Sequence, residues 1–152
     1  MKQLAIPELT IYHAANIQCK KQLFTLISER VAEADSRLKA KQISELLTQR
    51  ERLGSTAVSH GCAIPHARIP ALTKALCVIV TLPTAINFNG DDDAQMVDIV
   101  FCLLVPERAT QEHLNYLADI ANHIKKPGFC ESVRQASSDQ ALYQAVATDS
   151  LH

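Results

Sequence analysis

Two early segments of the chain repeat apolar residues at the spacing of an amphipathic α-helix. The apolar positions are Leu23, Leu26, Ile27, Val31 and Ala34 in the first segment and Ile43, Leu46 and Leu47 in the second. Gly54 comes directly after the second segment and can end a helix there. Both segments are polar on their other side, which predicts two helices that cover one face of a sheet.

Two later segments are apolar at almost every position. They read LCVIVTL (76–82) and VDIVFCLLV (97–105). Continuous apolar runs that are rich in β-branched residues are typical of strands buried on both faces. We therefore predict two central strands, separated by a loop over the Asn-, Gly- and Asp-rich stretch NFNGDDDAQ (87–95).

A third helical pattern follows the second apolar run. Its apolar positions are Leu114, Leu117, Ala118, Ala121 and Ile124. Thr110 is the predicted N-cap, and KKPG (125–128) ends the segment. Shorter helical patterns then run through Phe129, Val133, Leu142 and Val146. We expect the apolar stripes of these helices to lie in the core.

This order of elements predicts an α/β fold. Helices on both sides of buried strands imply a three-layer sandwich, in which a mixed sheet of about five strands is flanked by helices on both faces. The sheet is predicted to be mixed because the segment AVSHGCAIPH (57–66) has the pattern of a hairpin.

Composition narrows the class of protein. A chain of 152 residues with 47% hydrophobic and 20% charged residues matches one globular domain, 1–152. The net charge of −1, without a cluster of like charges, argues against nucleic acid or membrane surfaces as partners. The N-terminus lacks a signal-peptide pattern, and no apolar run approaches the length of a membrane span, so we expect a cytoplasmic protein. Five cysteines without a C-x-x-C pair predict no disulfide framework.

The octapeptide GCAIPHAR (61–68) holds a histidine outside any regular helix. Pro65 fixes its own backbone and extends Ile64, and a second proline at position 70 repeats the constraint. His66 is therefore predicted to lie on a stiffened loop or strand end. A neutral imidazole has a free ring nitrogen that can take a phosphoryl group and give it up again.

A phosphoryl-transfer site needs cations and hydrogen-bond donors that are held in place beforehand. Arg50 lies in the last turns of the second predicted helix, and Ser55 and Thr56 follow Gly54 with two hydroxyls and free backbone N–H groups. Sequence spacing does not show that these groups converge on His66. An arginine near a helix C-terminus is also an ordinary partner of the last carbonyls, and Thr56 is also an ordinary continuation of the helix cap.

The stretch RERLGSTAVSHGCAIPHAR (50–68) resembles the signature of the fructose/mannitol-type enzyme IIA domains of the bacterial phosphoenolpyruvate-dependent phosphotransferase system. The resemblance continues through VDIVFCLLVP and EHLNYLADIA and covers about 5–148. It implies an α/β sandwich in which His66 accepts a phosphoryl group at Nε2 from an HPr-like phosphocarrier. It also implies that His113 and Arg50 bind phosphoryl oxygens, with further donors at Thr56 or nearby amides, and that no metal or cofactor is needed.

Two functions remain open within this resemblance. One is a regulator that controls partner proteins by its phosphorylation state; the other is a fructose- or mannitol-specific enzyme IIA that passes the group to an enzyme IIB. The chain ends at 152 without a fused IIB, IIC or HPr-like segment, and RERLGST and FCLLVP are similar to the nitrogen-related branch. The resemblance therefore favours the regulator.

A zinc-dependent binding module is the alternative from a different class, because His60, Cys62 and His66 are three possible ligands within seven positions. Gly61 and Pro65 interrupt the regular alternation that would bring them to one face, and no fourth ligand is evident. Three histidines outside any motif, His13, His123 and His152, are predicted to be exposed. The chain also departs from the glycine-rich family pattern at Ala57, Ser59, His60 and Ala67, which leaves the loop geometry and the fit to partners open.

Overall fold

Five strands form one mixed sheet in the computed structural model, which describes residues 8–89, 93–108 and 110–147. The strands are β1 (Glu8–Tyr12), β2 (Cys62–Ala63), β3 (His66–Ile69), β4 (Leu76–Asn87) and β5 (Met96–Pro106). The helices are α1 (Lys20–Ala34), α2 (Ala40–Leu53), α3 (Gln111–Lys125), α4 (Phe129–Gln135) and α5 (Asp139–Ala147). None of these described helices has the length and apolar character that crossing a bilayer requires.

The two apolar runs are the central strands of this sheet, as predicted. The strand order is β1-β4-β5-β2, and β3 also pairs with β5. The β4–β5 pair is antiparallel, and the other pairs are parallel. β4 continues to Asn87, beyond the predicted run, through an irregular register between Thr81 and Ile86 that contains Pro83. Of the loop predicted over 87–95, residues 90–92 lie outside the described part of the chain.

Alternation along β5 divides the core into two layers. Phe101 and Leu103 pack into the cluster that α3, α4 and α5 cover, whereas Cys102 and Leu104 pack into the cluster under α1 and α2. Successive side chains of a strand point to opposite faces, so a continuous apolar run supplies both clusters. The predicted three-layer α/β sandwich with a mixed sheet is confirmed.

One edge of the sheet is a strand in two pieces. Cys62 lies opposite Ile99 and His66 lies opposite Leu103, so β2 and β3 follow β5 in the same register. The interruption falls at Pro65, which has no N–H to donate, although its carbonyl accepts a 2.8 Å bond from the Leu103 N–H. The stiffened strand position predicted for His66 is therefore the first residue of an edge strand.

The hairpin predicted over 57–66 is present, but it is not what makes the sheet mixed. Its antiparallel pairing is a single bridge between Ala57 and Ala63. The mixed character comes from the antiparallel β4–β5 pair. Cys62 and Ala63 of the hairpin pair in parallel with β5, so the hairpin adds no antiparallel strand to the sheet.

The turn of this hairpin uses two left-handed residues in succession. His60 has φ of 64° and Gly61 has φ of 75°, and the Cys62 N–H donates to the Ser59 carbonyl at 3.2 Å. Tight hairpins favour such left-handed pairs because their twist matches that of the strands. The sequence left this geometry open. The strained position is His60, whereas Ala57 and Ala67 do not have positive φ.

Replacing His60 by glycine is expected to raise the free energy of unfolding by about 0.5–1 kcal/mol, because a left-handed non-glycine residue is strained and the side chain is exposed. Urea denaturation of the two proteins measures this difference. Ser59→Gly is the control: it adds backbone freedom at a residue without positive φ and removes the same Ser59–His60 side-chain contact, so it should lower stability. An equal loss in both variants would contradict the strain at His60.

The apolar face of the third helix was predicted only in part: Ile124 is buried and Leu117 and Ala121 pack against the core, whereas Ala118 is exposed. The residues that α3 buries are Tyr116, Ile120, His123 and Ile124, whereas Leu114 is 54% exposed. His123 was predicted to be exposed, yet it is 1% exposed and its Nδ1–H donates to the Asp119 carbonyl at 2.8 Å. An imidazole that bonds its own helix and packs edge-on against Phe129 can occupy a core position. Of the other two histidines, His13 is half-buried, and His152 lies outside the described residues.

Candidate functional site

A pocket of about 420 Å³ opens at the β3 edge of the sheet. It lies where the C-terminal end of α2 and the N-terminal end of α3 approach the strand. The residues that line it are Arg50, Leu53, His66, Ala67, Arg68, Leu103, Val105, His113, Leu114 and Leu117. Because β3 is an edge strand, helices from both outer layers reach the same point. The structure thus brings together Arg50, His66 and His113, which sequence reasoning had connected only through the resemblance.

The ring of His66 is held in one orientation. Its Nδ1–H donates to the Ile64 carbonyl at 2.9 Å, two residues earlier in the chain. A neutral imidazole carries one proton, so a bond of this kind leaves a lone pair on Nε2. The bond to Ile64 therefore presents Nε2 to the pocket as the nucleophilic nitrogen.

Arg50 contacts that nitrogen directly. Its Nε–H donates to His66 Nε2 at 3.2 Å, and its Nη1 donates to the Gly54 carbonyl at 2.9 Å. The second bond is the ordinary contact of an arginine at a helix C-terminus, and the first is the contact that a phosphoryl site would use. One side chain makes both contacts, and a role of Arg50 in binding phosphate stays a prediction. A guanidinium beside Nε2 places cationic donors where phosphoryl oxygens would lie.

The surroundings of His66 keep its imidazole neutral. Burial lowers the pKa of His66 below its ordinary value, and the positive charge of Arg50 lowers it further. The bond to the Ile64 carbonyl and the negative charge of Glu51 act in the opposite direction but are outweighed. At pH 7 the ring is therefore predominantly uncharged, which is the form that can attack phosphorus.

This direction predicts the pH dependence of the site. The imidazole of His66 is expected to titrate below about pH 6.5 in an NMR titration of the unphosphorylated protein. Protonation removes the lone pair of Nε2, so the rate of phosphoryl acceptance should fall as the pH drops through that midpoint. Above the midpoint, the charge state of His66 should no longer change the rate. His66→Gln assigns the resonance. A midpoint above 6.5 would contradict the dominance of burial and Arg50.

His113 is fixed at the start of α3. The backbone N–H of Thr110, the N-cap, donates to His113 Nδ1 at 3.0 Å. The predicted N-cap is confirmed, and the histidine occupies the place that glutamate takes in a capping box. Because Nδ1 accepts this bond, the proton of the neutral ring lies on Nε2. The two histidines therefore have opposite tautomers: His66 offers an acceptor at Nε2, and His113 offers a donor.

The structure does not place Ser55 and Thr56 among the residues that line this pocket. Thr56 is 6% exposed, and its hydroxyl donates to Glu51 Oε1 at 2.7 Å. Ser55 is exposed, and its hydroxyl accepts the Ala57 N–H at 3.1 Å. Their contacts hold the loop after α2, and a role of either hydroxyl in phosphate binding stays a prediction.

Sequence reasoning missed the apolar rim and one cation of the site. Leu53 is 86% exposed, and it lines the pocket together with the exposed Leu114. Arg68 is also exposed, and it lies two residues after His66 on β3. Residues at i and i+2 of a strand share a face, so the alternation H-x-R was the signal that could have identified Arg68.

The proposed zinc ligands are not gathered at one point. Within residues 8–89, 93–108 and 110–147, no group of three or more His, Cys, Asp and Glu side chains is arranged to hold a metal ion. Cys62 is buried with its Sγ 3.5 Å from that of Cys130, whereas His60 is exposed on the hairpin turn. The left-handed turn at His60 and Gly61 lies before the strand that begins at Cys62, so His60 is not part of its alternation.

Comparison with known proteins finds a matching family profile and similar sequences. The family profile described as "Phosphoenolpyruvate-dependent sugar phosphotransferase system, EIIA 2" matches residues 5–148. The chain is 37% identical over 144 residues to a nitrogen regulatory protein of Bradyrhizobium diazoefficiens. The aligned region covers 95% of this chain and 92% of that protein.

Solved structures give the same result. The nitrogen regulatory protein IIA-Ntr of Neisseria meningitidis superposes with a TM-score of 0.79 at 30% identity, over 91% of this chain and 92% of that chain. The mannitol enzyme IIA of Escherichia coli, solved in complex with phosphorylated enzyme IIB, superposes with a TM-score of 0.73. That pair is 15% identical over 91% of this chain and 94% of the other, so it shows the shared fold alone.

Proposed function

Because this chain belongs to the EIIA 2 family of the phosphoenolpyruvate-dependent sugar phosphotransferase system, we propose that it is a phosphoryl relay protein whose acceptor is His66. EIIA domains exchange phosphoryl groups with HPr and EIIB partners. The observation that carries the proposal is the bond from His66 Nδ1–H to the Ile64 carbonyl, which leaves Nε2 without a proton and with its lone pair toward Arg50. Here the donor would be the phosphohistidine of an HPr-like phosphocarrier.

The transfer is a substitution at phosphorus. The lone pair of His66 Nε2 forms the new N–P bond while the N–P bond of the carrier breaks, and the carrier imidazole leaves with that electron pair. The proton on Nδ1 stays in place. Its bond to the Ile64 carbonyl then stabilises the positive charge that the ring acquires when Nε2 is phosphorylated. No group from solution is needed to balance the step.

Arg50 and His113 would neutralise the transferred group. Charge spreads over three equatorial oxygens in such a transition state, so donors held in advance contribute most of the stabilisation. Arg50 has to release Nε2 as the phosphorus approaches, and its guanidinium then bonds the oxygens. The Nε2–H of His113 supplies a second donor, because its Nδ1 is already occupied by the Thr110 N–H.

The rim of the pocket suits docking of a carrier protein. Leu53 and Leu114 expose apolar surface on either side of His66, and Arg68 adds a cation on the same strand face. Exposed apolar patches that are bordered by polar residues are typical of protein–protein contacts. Such a surface would exclude water from the transfer and orient the donor histidine.

We propose regulation as the output of this relay. The similarity to nitrogen regulatory proteins at 30–37% identity favours it. A phosphoryl group adds about −1.5 to −2 charge at an exposed edge that carries Arg50 and Arg68, so it changes which partner surfaces fit. The alternative is transfer to an enzyme IIB, and the complex of the mannitol enzyme IIA supports it through the fold alone.

The test has two stages. Incubating the chain with phosphoenolpyruvate, the first kinase of the system and an HPr-like carrier should produce acid-labile phosphate on His66. The phosphorylated chain is then mixed with sugar-specific enzyme IIB domains. Rapid transfer would support transport, whereas no transfer, together with phosphate-dependent binding of non-transport proteins, would support regulation. Absence of label at His66 would overturn the relay itself.

A further inference from the structure

A buried carboxylate lies one residue after Arg50 and outside the reactive pocket. Glu51 is 8% exposed, and Thr56 donates to it twice, from N–H at 3.0 Å and from its hydroxyl at 2.7 Å. Lys20 Nζ lies 3.3 Å from the second carboxylate oxygen. Lys20 is itself held by the Phe88 carbonyl at 2.8 Å. A buried carboxylate with this many partners fixes the groups around it.

The contacts continue from this carboxylate to the acceptor histidine. The carbonyl of Thr56 accepts the Ile64 N–H at 3.0 Å, and the carbonyl of Ile64 accepts His66 Nδ1–H at 2.9 Å. Each bond fixes the residue that makes the next one. Glu51 thus holds the backbone that orients His66, although it does not touch the ring.

We propose that Glu51 is a positioning residue that keeps His66 in the Nδ1-protonated tautomer by holding Thr56 and, through it, Ile64. Its consequence for transfer rests on the proposed function, whereas its effect on the tautomer concerns the unphosphorylated protein alone. A histidine with its proton on Nε2 has no lone pair to attack with at that atom. The carboxylate therefore acts together with the Arg50 Nε–H bond, which also requires an unprotonated Nε2, to set the fraction of the protein that is ready to accept the phosphoryl group.

Charge adds a separate effect, on the pKa of His66 and not on its tautomer. The titratable and charged groups around His66 are Arg50 on α2, Arg68 on β3 and His113 on α3, and Glu51 acts on it from outside the pocket. The negative charge of Glu51 and the bond to the Ile64 carbonyl both raise the pKa of His66, against the larger effect of burial. Removing the carboxylate removes the first of these contributions and weakens the second. The pKa of the ring should therefore fall.

Glu51→Gln tests the proposal. The Thr56 N–H and hydroxyl donate to two different oxygens of Glu51, and a glutamine side chain replaces one of these oxygens by an NH₂ group and removes the charge, so this pair of charge-assisted bonds is lost. In ¹⁵N-histidine spectra, His66 should be protonated at Nδ1 alone in the wild type and should be a mixture of tautomers in the variant, with a lower pKa. Phosphoryl acceptance from the carrier should slow by about tenfold.

Glu45→Gln is the matched control, because it removes an exposed charge from the same helix. Thr56→Val is the second variant: it keeps the N–H and deletes the hydroxyl, so it should give a smaller shift of the same kind, whereas Thr56→Ser should restore the wild-type spectrum. A folded Glu51→Gln or Thr56→Val protein with wild-type His66 signals would overturn the proposal. If the tautomer shifts in the variant but no carrier phosphorylates the wild-type protein, the positioning role of Glu51 is supported and the proposed phosphoryl relay is rejected.

Discussion

Replacing His66 by glutamine is expected to abolish phosphorylation of this chain by a phosphorylated HPr-like carrier. The substitution removes the Nε2 lone pair, and no other described side chain in the pocket combines a free imidazole nitrogen with the contact to Arg50. Loss of the nucleophile should reduce acceptance by at least about 10³-fold. Transfer of ³²P from the carrier, followed by peptide mapping of the acid-labile label, measures it.

The matched control for His66→Gln is His60→Gln, which changes an exposed histidine on the neighbouring turn. This control should accept phosphate at the wild-type rate. Both variants should unfold within about 1 kcal/mol of the wild type, because neither removes a core side chain. Label that persists in His66→Gln and maps to His113 would show that the roles of the two histidines have been assigned the wrong way round.

The elements of the fold could be predicted because each depends on a local pattern. The apolar runs that became β4 and β5 are long enough to be distinguished from helices by their β-branched content. The parallel pairing of β2 and β3 with β5 could not be predicted, because it joins segments about 37 positions apart. The local sequence pattern predicts a strand but does not predict which strand it pairs with.

The candidate site was also predictable only in part. The prolines around His66 predict a fixed position for it, and Arg50 was a candidate from its place at the end of the second predicted helix. Its role beside His66 and the choice of His113 came from a resemblance to a family. What brings them together is the edge position of β3, which lets α2 and α3 approach one point from opposite layers. Leu114 shows the limit of periodicity: an apolar residue on a helix can be exposed, so its spacing alone does not identify a core position.

The interactions that hold the site were the least predictable. Glu51 was read only as one letter of the RERLGST pattern, yet it is a buried carboxylate with three donors. Charged residues are rarely buried unless they are paired, and sequence does not show the pairing. His123 follows the same rule, because a carbonyl of its own helix satisfies its ring in the core.

Replacing Arg50 by alanine is expected to slow phosphoryl acceptance by about 10²–10³-fold while the protein stays folded. The guanidinium contacts His66 Nε2 at 3.2 Å, where it would neutralise the transferred group. Its structural contribution is the bond to the Gly54 carbonyl, which is worth about 1 kcal/mol. Single-turnover transfer and urea denaturation, measured on the same samples, separate the two effects.

Two further substitutions show which property of Arg50 matters. Arg50→Lys keeps the positive charge and loses the planar fork, so it should recover only part of the rate if oxygens are bound by two parallel N–H groups. Arg52→Ala, an exposed arginine of the same turn, controls for net charge and should transfer normally. The pKa of His66 should rise in Arg50→Ala, since the guanidinium lowers it. Wild-type transfer in Arg50→Ala, together with that raised pKa, would mean that the arginine sets the charge state of the histidine and takes no part in binding the phosphoryl group.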